Sequence, residues 1–530
     1  MGGVARREGY ADLSRKKFLG GLAATLGLGT LYPAVPALAR RRRKTLVRTA
    51  TATRPGEYLY LPFEVPRGVN GISVKLTKSD ERARVGVGLF DHQGARYESP
   101  GFRGVYGEER SEFFVGARRA SLSFVPGPIR PGRWTVIVPV FLTAAPTRIW
   151  ANINLLFGPQ GTPARPGPLP RAVNDRPGWY RGELHCHTPH SSDARASGSA
   201  LTPAGWADRA RELGLDFVSL TDHNVTSQNR NLKDAAGKGV LLLAGEEMTN
   251  WFHGHATVAG LKPGDHLDWR QRPLGVQLGK NEARIQRFIS EARRLGAYTS
   301  AAHPFAGPIA WQFFPDAEAD PEGALTDGIE VWNGPFQPDD ELSIRKWDEF
   351  LLRGVKIWAN GGSDTHGIKN TGGFAPGHPT NVVYADALSR EGIVAALKAG
   401  RVFVTRLPDG AELYLSATGP GGQRQIVGGT VYGAASDIVR FSVLVRKGAA
   451  NSGKNPMLLT LLRDGVPVQV TPITEDEQQV TFEQPIGTGG YVRAELRAEP
   501  VFEPPNVPAT RGPMEALTNP IFLSDGPETR

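Results

Sequence analysis

The sequence predicts an α/β protein in which a central strand–helix domain is flanked by two β-rich regions. Three observations predict it. Between residues 178 and 405, buried strand-like runs alternate with helix-like stretches, several of them ended by glycine. On both sides, short alternating strands are separated by turn residues. The chain has 530 residues, with 64 Gly and 42 Pro, which is too many for one ordinary core and rich in turn formers.

Taken in order, the chain begins with what reads as an export signal over 1–39. Ser14-Arg15-Lys16-Lys17-Phe18-Leu19 precedes an apolar, Gly- and Ala-rich stretch, and Ala37-Leu38-Ala39 offers a small-x-small cleavage site. The segment resembles a twin-arginine leader, with Lys16 at the second arginine position. The apolar stretch is too short for a membrane span. The expectation is export to the periplasm or outside by the twin-arginine route, without membrane insertion after the signal is removed.

The formal charge is +9. Without residues 1–39, 57 basic and 51 acidic residues remain, a net +6. The run Arg40-Arg41-Arg42-Arg43-Lys44 reads as a solvated tail. No basic stripe carries interleaved aromatics, so nucleic acid is not an expected partner and a small-molecule substrate is. One cysteine, Cys186, excludes a disulfide-stapled scaffold.

Residues 45–157 read as a β-sandwich, from strands such as Tyr58-Leu59-Tyr60-Leu61, Gly71-Ile72-Ser73-Val74 and Arg133-Trp134-Thr135-Val136. Residues 158–177, rich in Pro, Gly and Arg, read as a linker. In 178–405 the expected strands include 217–220, 240–244, 297–301, 328–332 and 355–359, with helices at 203–213, 282–295, 341–352 and 391–398. Repeated strand–helix units imply a parallel sheet or a barrel. Short strands return over 411–530, a second β region.

The chemistry lies at the ends of the central strands. His185-Cys186-His187 places two imidazoles on one face of an extended chain, so both can reach one ion. Asp364-Thr365-His366 repeats that spacing. Thr221-Asp222-His223-Asn224, Gly245-Glu246-Glu247, His255 and His303-Pro304 follow other strands. Sites form at the carboxyl ends of strands in barrels and open α/β sheets. A lone His-x-His is more often ordinary polar chemistry. Six of eleven histidines in one ordered set are not, because buried histidines and carboxylates are costly unless paired or metal-bound. His and carboxylate donors without thiolates suit Zn, Mn or Fe.

This order of motifs matches the PHP (polymerase and histidinol phosphatase) superfamily over residues 180–405. With its leader and flanking β regions, the chain resembles the CehA/McbA-type metallohydrolases; Gly400-Arg401-Val402-Phe403 and Thr518-Asn519-Pro520-Ile521 are similar to that group as well. The resemblance implies a distorted (β/α)7 barrel with two or three divalent metal ions. His185, His187, Glu247 and Asp364 would hold the first. Glu247 would bridge to a second held by His255 and His303. Asp193, where relatives often have His, would hold a third with His223 and His366. Glu247 and Asp364 are the expected catalytic carboxylates, with Asp222 orienting a ligand.

Other candidates carry blander readings. His253 is a substitute for His255, and Cys186 packs as a small hydrophobe. His190 and His378 are substrate contacts or loop surface, and Trp332, Asn333 and Arg401 are candidate pocket residues. His92 and His266 are surface. The expected function is hydrolysis by a metal-activated water. Phosphoesters are favoured on superfamily grounds, and carboxylic ester, amide or carbamate bonds are the alternative. A non-catalytic exported glycan-binding protein is the reading from another class, and a polymerase-linked exonuclease fits least. No nucleophile elbow, P-loop or dinucleotide fingerprint is present.

Overall fold

Strict alternation of apolar and polar residues folds the N-terminal part into two antiparallel sheets. In the Thr147–Phe157 strand, residues 147, 149, 151, 153 and 155 all face inward. That strand lies between Arg43–Ala52 and Val69–Lys78, with Glu112–Gly116 at the far edge. The second sheet runs Tyr58–Val65, Gly132–Leu142, Val87–Phe90, Phe102–Tyr106, with Arg84–Val85 beside Gly132–Leu142. Both close on one core around Phe63, Val74, Trp134 and Ile153, where each buried side chain contributes roughly 1.5–3 kcal/mol. The structure is a computed structural model and describes residues 42–163, 172–235, 238–250, 253–270, 283–314, 325–369, 372–451, 457–498 and 512–527. The expected leader (1–39) and residues 164–171 of the expected linker lie outside these. The basic run is not all tail: Arg43 and Lys44 pair with Leu156 and Leu155, and the Arg43 guanidinium donates to Asn154 Oδ1.

The expected (β/α)7 barrel is not what the central residues form. Among the described residues 45% are in strands and 15% in helices, with five α-helices. The central strands run in one mixed sheet: Trp358–Gly362, Gly328–Asn333, Tyr298–Ala302, Gly254–Leu261, Leu241–Asn250, Phe217–Leu220, Gly178–Glu183, Thr380–Ala385, Val402–Thr405. The physical reason is the connections. A parallel neighbour needs a long crossover, whereas a short turn forces antiparallel pairing. Leu241–Asn250 returns directly as Gly254–Leu261, which then pairs antiparallel with Tyr298–Ala302. Thr380–Ala385 is antiparallel to both of its neighbours. The sheet then continues into the C-terminal strands, because Val402–Thr405 pairs with Met514–Thr518. Those strands are therefore not confined to a sheet of their own. They share a core with the sheet of Arg424–Ile426, Glu412–Thr418, Ile438–Arg446 and Glu477–Pro485.

The helices follow local signals closely. Pro203–Leu213 starts on Thr202, whose side chain accepts from Gly205 N, and stops at Gly214 in the left-handed region (φ 72°). It buries Trp206, whose indole N–H donates to His187 O (3.0 Å), so helix packing fixes the first histidine pair. Among the described residues no helix is long and apolar enough to cross a membrane.

Candidate metal centre

Chain segments just past the strand ends pair with one another and carry the donors inward. Cys186 forms an isolated parallel bridge with Thr365, so His187 N donates to Thr365 O (3.0 Å) and Asp364 N to His185 O (2.8 Å). His223 bridges Glu247 in the same way. Within the Leu241–Asn250 strand, adjacent residues face opposite ways. Glu247 points into the cluster, while Glu246 points away toward Leu267 N, and burial pushes its carboxyl up to about 8. Three non-glycine residues at the site, Asn224, His303 and Asp364, have positive φ (54°, 29°, 51°). Such conformations cost energy and persist where packing fixes them. A Cβ at Gly362 would meet the Glu330 carboxylate and the His185 side chain, which explains a glycine just before Ser363-Asp364.

Six imidazoles and three carboxylates meet here: His185, His187, His223, His255, His303, His366, Asp193, Glu247 and Asp364. His187 Nε2 lies 3.1 Å from Asp364 Oδ1 and 3.5 Å from Glu247 Oε2, and His185 Nε2 is 3.4 Å from both Glu247 Oε1 and Asp364 Oδ1. Glu247 Oε1 is also 2.9 Å from His255 Nδ1 and 3.3 Å from His303 Nε2. Its Oε2 is 2.7 Å from His223 Nδ1. Asp193 Oδ2 is 3.1 Å from His223 Nε2 and 3.2 Å from His366 Nε2, and those two nitrogens are 3.2 Å apart.

No protein-family model and no curated protein matches this chain. Among solved structures, an amidohydrolase from Chromobacterium violaceum, determined with bound sulfate and no metal, is 20% identical. The match covers 35% of this chain and 87% of that one, with a TM-score of 0.25. A β-glucuronidase from glycoside hydrolase family 2 is 11% identical over 91% of this chain and 62% of its own, with a TM-score of 0.15. At these TM-scores neither likeness bears on the fold or the activity.

The donor set fits metal ions on its own geometry. Ligand bonds of about 2.1 Å place neighbouring donors roughly 3.0–3.4 Å apart around an octahedral or tetrahedral ion. Most of the spacings above fall at or close to that range. Four atoms of these side chains, His185 Nε2, Glu247 Oε2, His255 Nε2 and His303 Nδ1, are buried without a hydrogen-bond partner. Buried polar atoms are rarely left so unless something else binds them. Four groups offer three donors each to a single point: His187, His223 and His366; His185, His187 and Asp364; His185, Glu247 and His303; His223, Glu247 and His255. Glu247 is thus shared: it stands with His303 and His185 in one group and with His255 and His223 in another, and its Oε1 also lies beside both His255 and His303.

The electrostatics agree with a cluster that expects positive charge. Burial opposes a charge on Glu247, yet His223, His185 and His255 hold its carboxyl well below the ordinary range. Burial alone would keep His185 neutral, but the Asp364, Glu330 and Glu247 carboxylates raise it well above its usual value. His187 goes the other way, to about 3, through burial and the neighbouring His366 and His223. Burial likewise lowers His255 to about 4. At the pocket side, burial works against His366, but Asp193 and Asp364 raise it to about 9.

Several residues hold the donors in place. Glu330 Oε1 lies 3.1 Å from His185 Nδ1, and its Oε2 accepts from His303 N (2.7 Å). Glu183 accepts from the backbone of His185, Ser363 and Gly377. Ser191 Oγ lies 3.0 Å from His187 Nδ1 and accepts from His223 N, and Thr249 Oγ1 lies 2.6 Å from His223 Nδ1. Such partners set the tautomer and ring orientation of ligating histidines. Sequence reading missed all four. The available signal was a lone carboxylate inside an apolar strand, Glu330 in Gly328–Asn333, and Glu183 two residues before His185.

Other candidates lie elsewhere. Asp222 is fully buried and accepts from Thr188 N, Thr188 Oγ1 and Ser191 N; it braces the 188–191 turn and reaches no donor of the cluster directly. Burial raises it to about 6 against those bonds. His253 turns to Asn250 Oδ1, and His190 is buried against Ser227 Oγ (2.7 Å). Trp332 is core, Asn333 donates to Glu330, and Arg401 faces Asp386. His266 is half-buried rather than free on the surface; it stacks on Phe102 with ring centroids 4.3 Å apart. Cys186 is buried, its thiol pointing to Ser219 O.

Above the donors lies a cavity of about 200 Å³. Asp193, His223, His255, His303, Asp364 and His366 form its floor.

Proposed function

We propose that this protein is an exported metal-dependent hydrolase with PHP-type metal chemistry, acting on carboxylic ester, amide or carbamate bonds. One observation carries the reading: eight His, Asp and Glu side chains at ligand spacing, with Asp193 beside His223 and His366, form the floor and underside of a cavity whose described lining contains no lysine or arginine. His185, His187, Asp193, His223, Glu247, His255, His303, Asp364 and His366 would hold divalent ions, which when bound would supply the Lewis-acid charge for activating water at neutral pH and for offsetting charge on the attacked group. The protein's own side chains do the rest. Glu330, Ser191 and Thr249 fix the orientations of His185, His187 and His223. The apolar cavity walls exclude bulk water, which strengthens electrostatic interactions at the floor.

A dianionic phosphate is usually met by arginine or lysine. The described lining instead offers the carboxylates Glu109, Asp193 and Asp364. The phosphoester reading is kept second because several donor triplets lie together, and closely spaced ions can clamp a phosphoryl group. Purified protein loaded with manganese or zinc is assayed on p-nitrophenyl acetate and p-nitrophenyl phosphate. The expected result is kcat/KM at least about tenfold higher on the ester, a difference of about 1.4 kcal/mol, lost on chelation and restored by metal. Faster phosphate cleavage would favour the second reading. Metal-loaded protein inert on both would favour the glycan-binding one.

A further inference from the structure

The residues that wall the cavity opposite the metal donors come from a distant part of the chain. Val105 and Tyr106 close the Phe102–Tyr106 strand, and Pro139 and Phe141 lie in Gly132–Leu142. Trp269 completes the wall and packs edge-on against Tyr58 of the same β region (centroids 5.4 Å apart). The wall is fixed rather than adaptable. The Tyr106 ring is held edge-on by Phe124 (5.0 Å) and covered by the Arg195 guanidinium, 5.6 Å from its centroid. That guanidinium donates through Nη1 to Tyr106 Oη (3.3 Å) and through Nε to Pro189 O (3.0 Å), its Nη2 is buried without a partner, and Arg195 is not part of the lining. At the rim, exposed Glu109 accepts from Ser192 Oγ (2.7 Å), next in sequence to Asp193.

We infer that the N-terminal β region is the specificity wall of the hydrolase, and that it selects substrates carrying a small, flat apolar group with no negative charge at the rim. This rests on the hydrolase reading for the reaction, but not on which acyl bond is cut. Burying an apolar group against Tyr106, Phe141 and Trp269 removes it from water on several sides. The cavity of about 200 Å³ lies below the range of roughly 300–1,000 Å³ usual for drug-sized ligands, so the group is small. At the rim, a negative charge on the part of the substrate beside exposed Glu109 meets that carboxylate with no lysine or arginine among the described lining residues, whereas a neutral group there suffers no such repulsion.

The test uses the full-length, metal-loaded protein, with benzyl acetate, ethyl acetate and monobenzyl succinate as substrates. Phe141 is half-buried, so Phe141→Ala should fold, and Phe141→Leu keeps most of the volume. The expected result is a fall of about tenfold in the benzyl-to-ethyl ratio of kcat/KM for Phe141→Ala, with a smaller fall for Phe141→Leu. Glu109→Gln should raise kcat/KM for the anionic ester about threefold relative to benzyl acetate. Binding is read separately, as magnetisation transfer from protein to benzyl alcohol. If no ester is cleaved but that transfer is present and lost in Phe141→Ala, the wall stands and the hydrolase reading falls. Ratios unchanged in both Phe141 variants, with transfer to benzyl alcohol unaffected, would overturn the wall.

Discussion

Replacing Glu247 with alanine is expected to lower turnover on the order of 10³-fold or more and to release metal. Its two oxygens lie within 3.5 Å of nitrogens on His185, His187, His223, His255 and His303. No other carboxylate in the cluster reaches so many donors. Its loss removes the shared anion from two of the four candidate triplets and leaves buried imidazoles facing each other. Charge stabilisation by bound ions is worth several kcal/mol, and about 4 kcal/mol is a factor near 10³. Elemental analysis and kcat/KM on the same preparation check this together. A variant as active as the parent, with the same metal content, would remove Glu247 from the site.

The second large effect concerns the joint between the Pro338–Leu352 helix and the Gly490–Ala498 strand. Arg493, 1% exposed, donates to both oxygens of Asp348 (2.9 and 2.6 Å) and to Glu495 Oε1 (2.7 Å). Glu495 also accepts from Arg497, which pairs with Glu341 on the same helix. Removing one partner of a buried ionic network strands the others, so Arg493→Ala should destabilise by about 3–5 kcal/mol, read as a lower denaturation midpoint. The network also sets a pH dependence. Burial alone would raise the Glu495 carboxyl, but Arg493 and Arg497 hold it at about 2, against 4.5 for the free side chain. A depressed carboxyl stabilises the folded state fully above about pH 4.5, and that contribution disappears as pH falls toward 2. Arg493→Ala should therefore start lower and lose less across that window.

Much of the site was legible because donors obey strand parity. His185 and His187 are two apart on an extended stretch, and Glu247 rather than Glu246 faces inward by the same rule, whereas Asp364 and His366 meet the cluster from a segment that Asp364 enters at φ 51°. Helix ends were legible because Thr202, Pro203 and Gly214 act locally. The hairpin was not. Glu246-Glu247-Met248-Thr249-Asn250 looks like the end of an apolar run, yet it continues the strand, with all five residues buried. Polar residues buried on both faces of a strand, such as Glu247 toward the cluster and Glu246 toward Leu267 N, erase the apolar period that marks it. Missing that return made parallel crossovers look universal and left a parallel sheet or a barrel as the reading, and the (β/α)7 barrel itself was what the resemblance implied. The cavity wall was illegible for a different reason. Val105, Tyr106 and Phe141 read as ordinary sandwich residues, and nothing local says that their strands end above a site some 50 to 260 residues downstream.

Crystals of metal-loaded protein, measured at the absorption edge of the bound ion, test the central claim most directly. The account predicts two or three anomalous peaks, each within ligand distance of at least three side chains from the set of nine, with Glu247 touching more than one. Fewer than one ion per chain, or peaks away from Glu247 and Asp364, would contradict it.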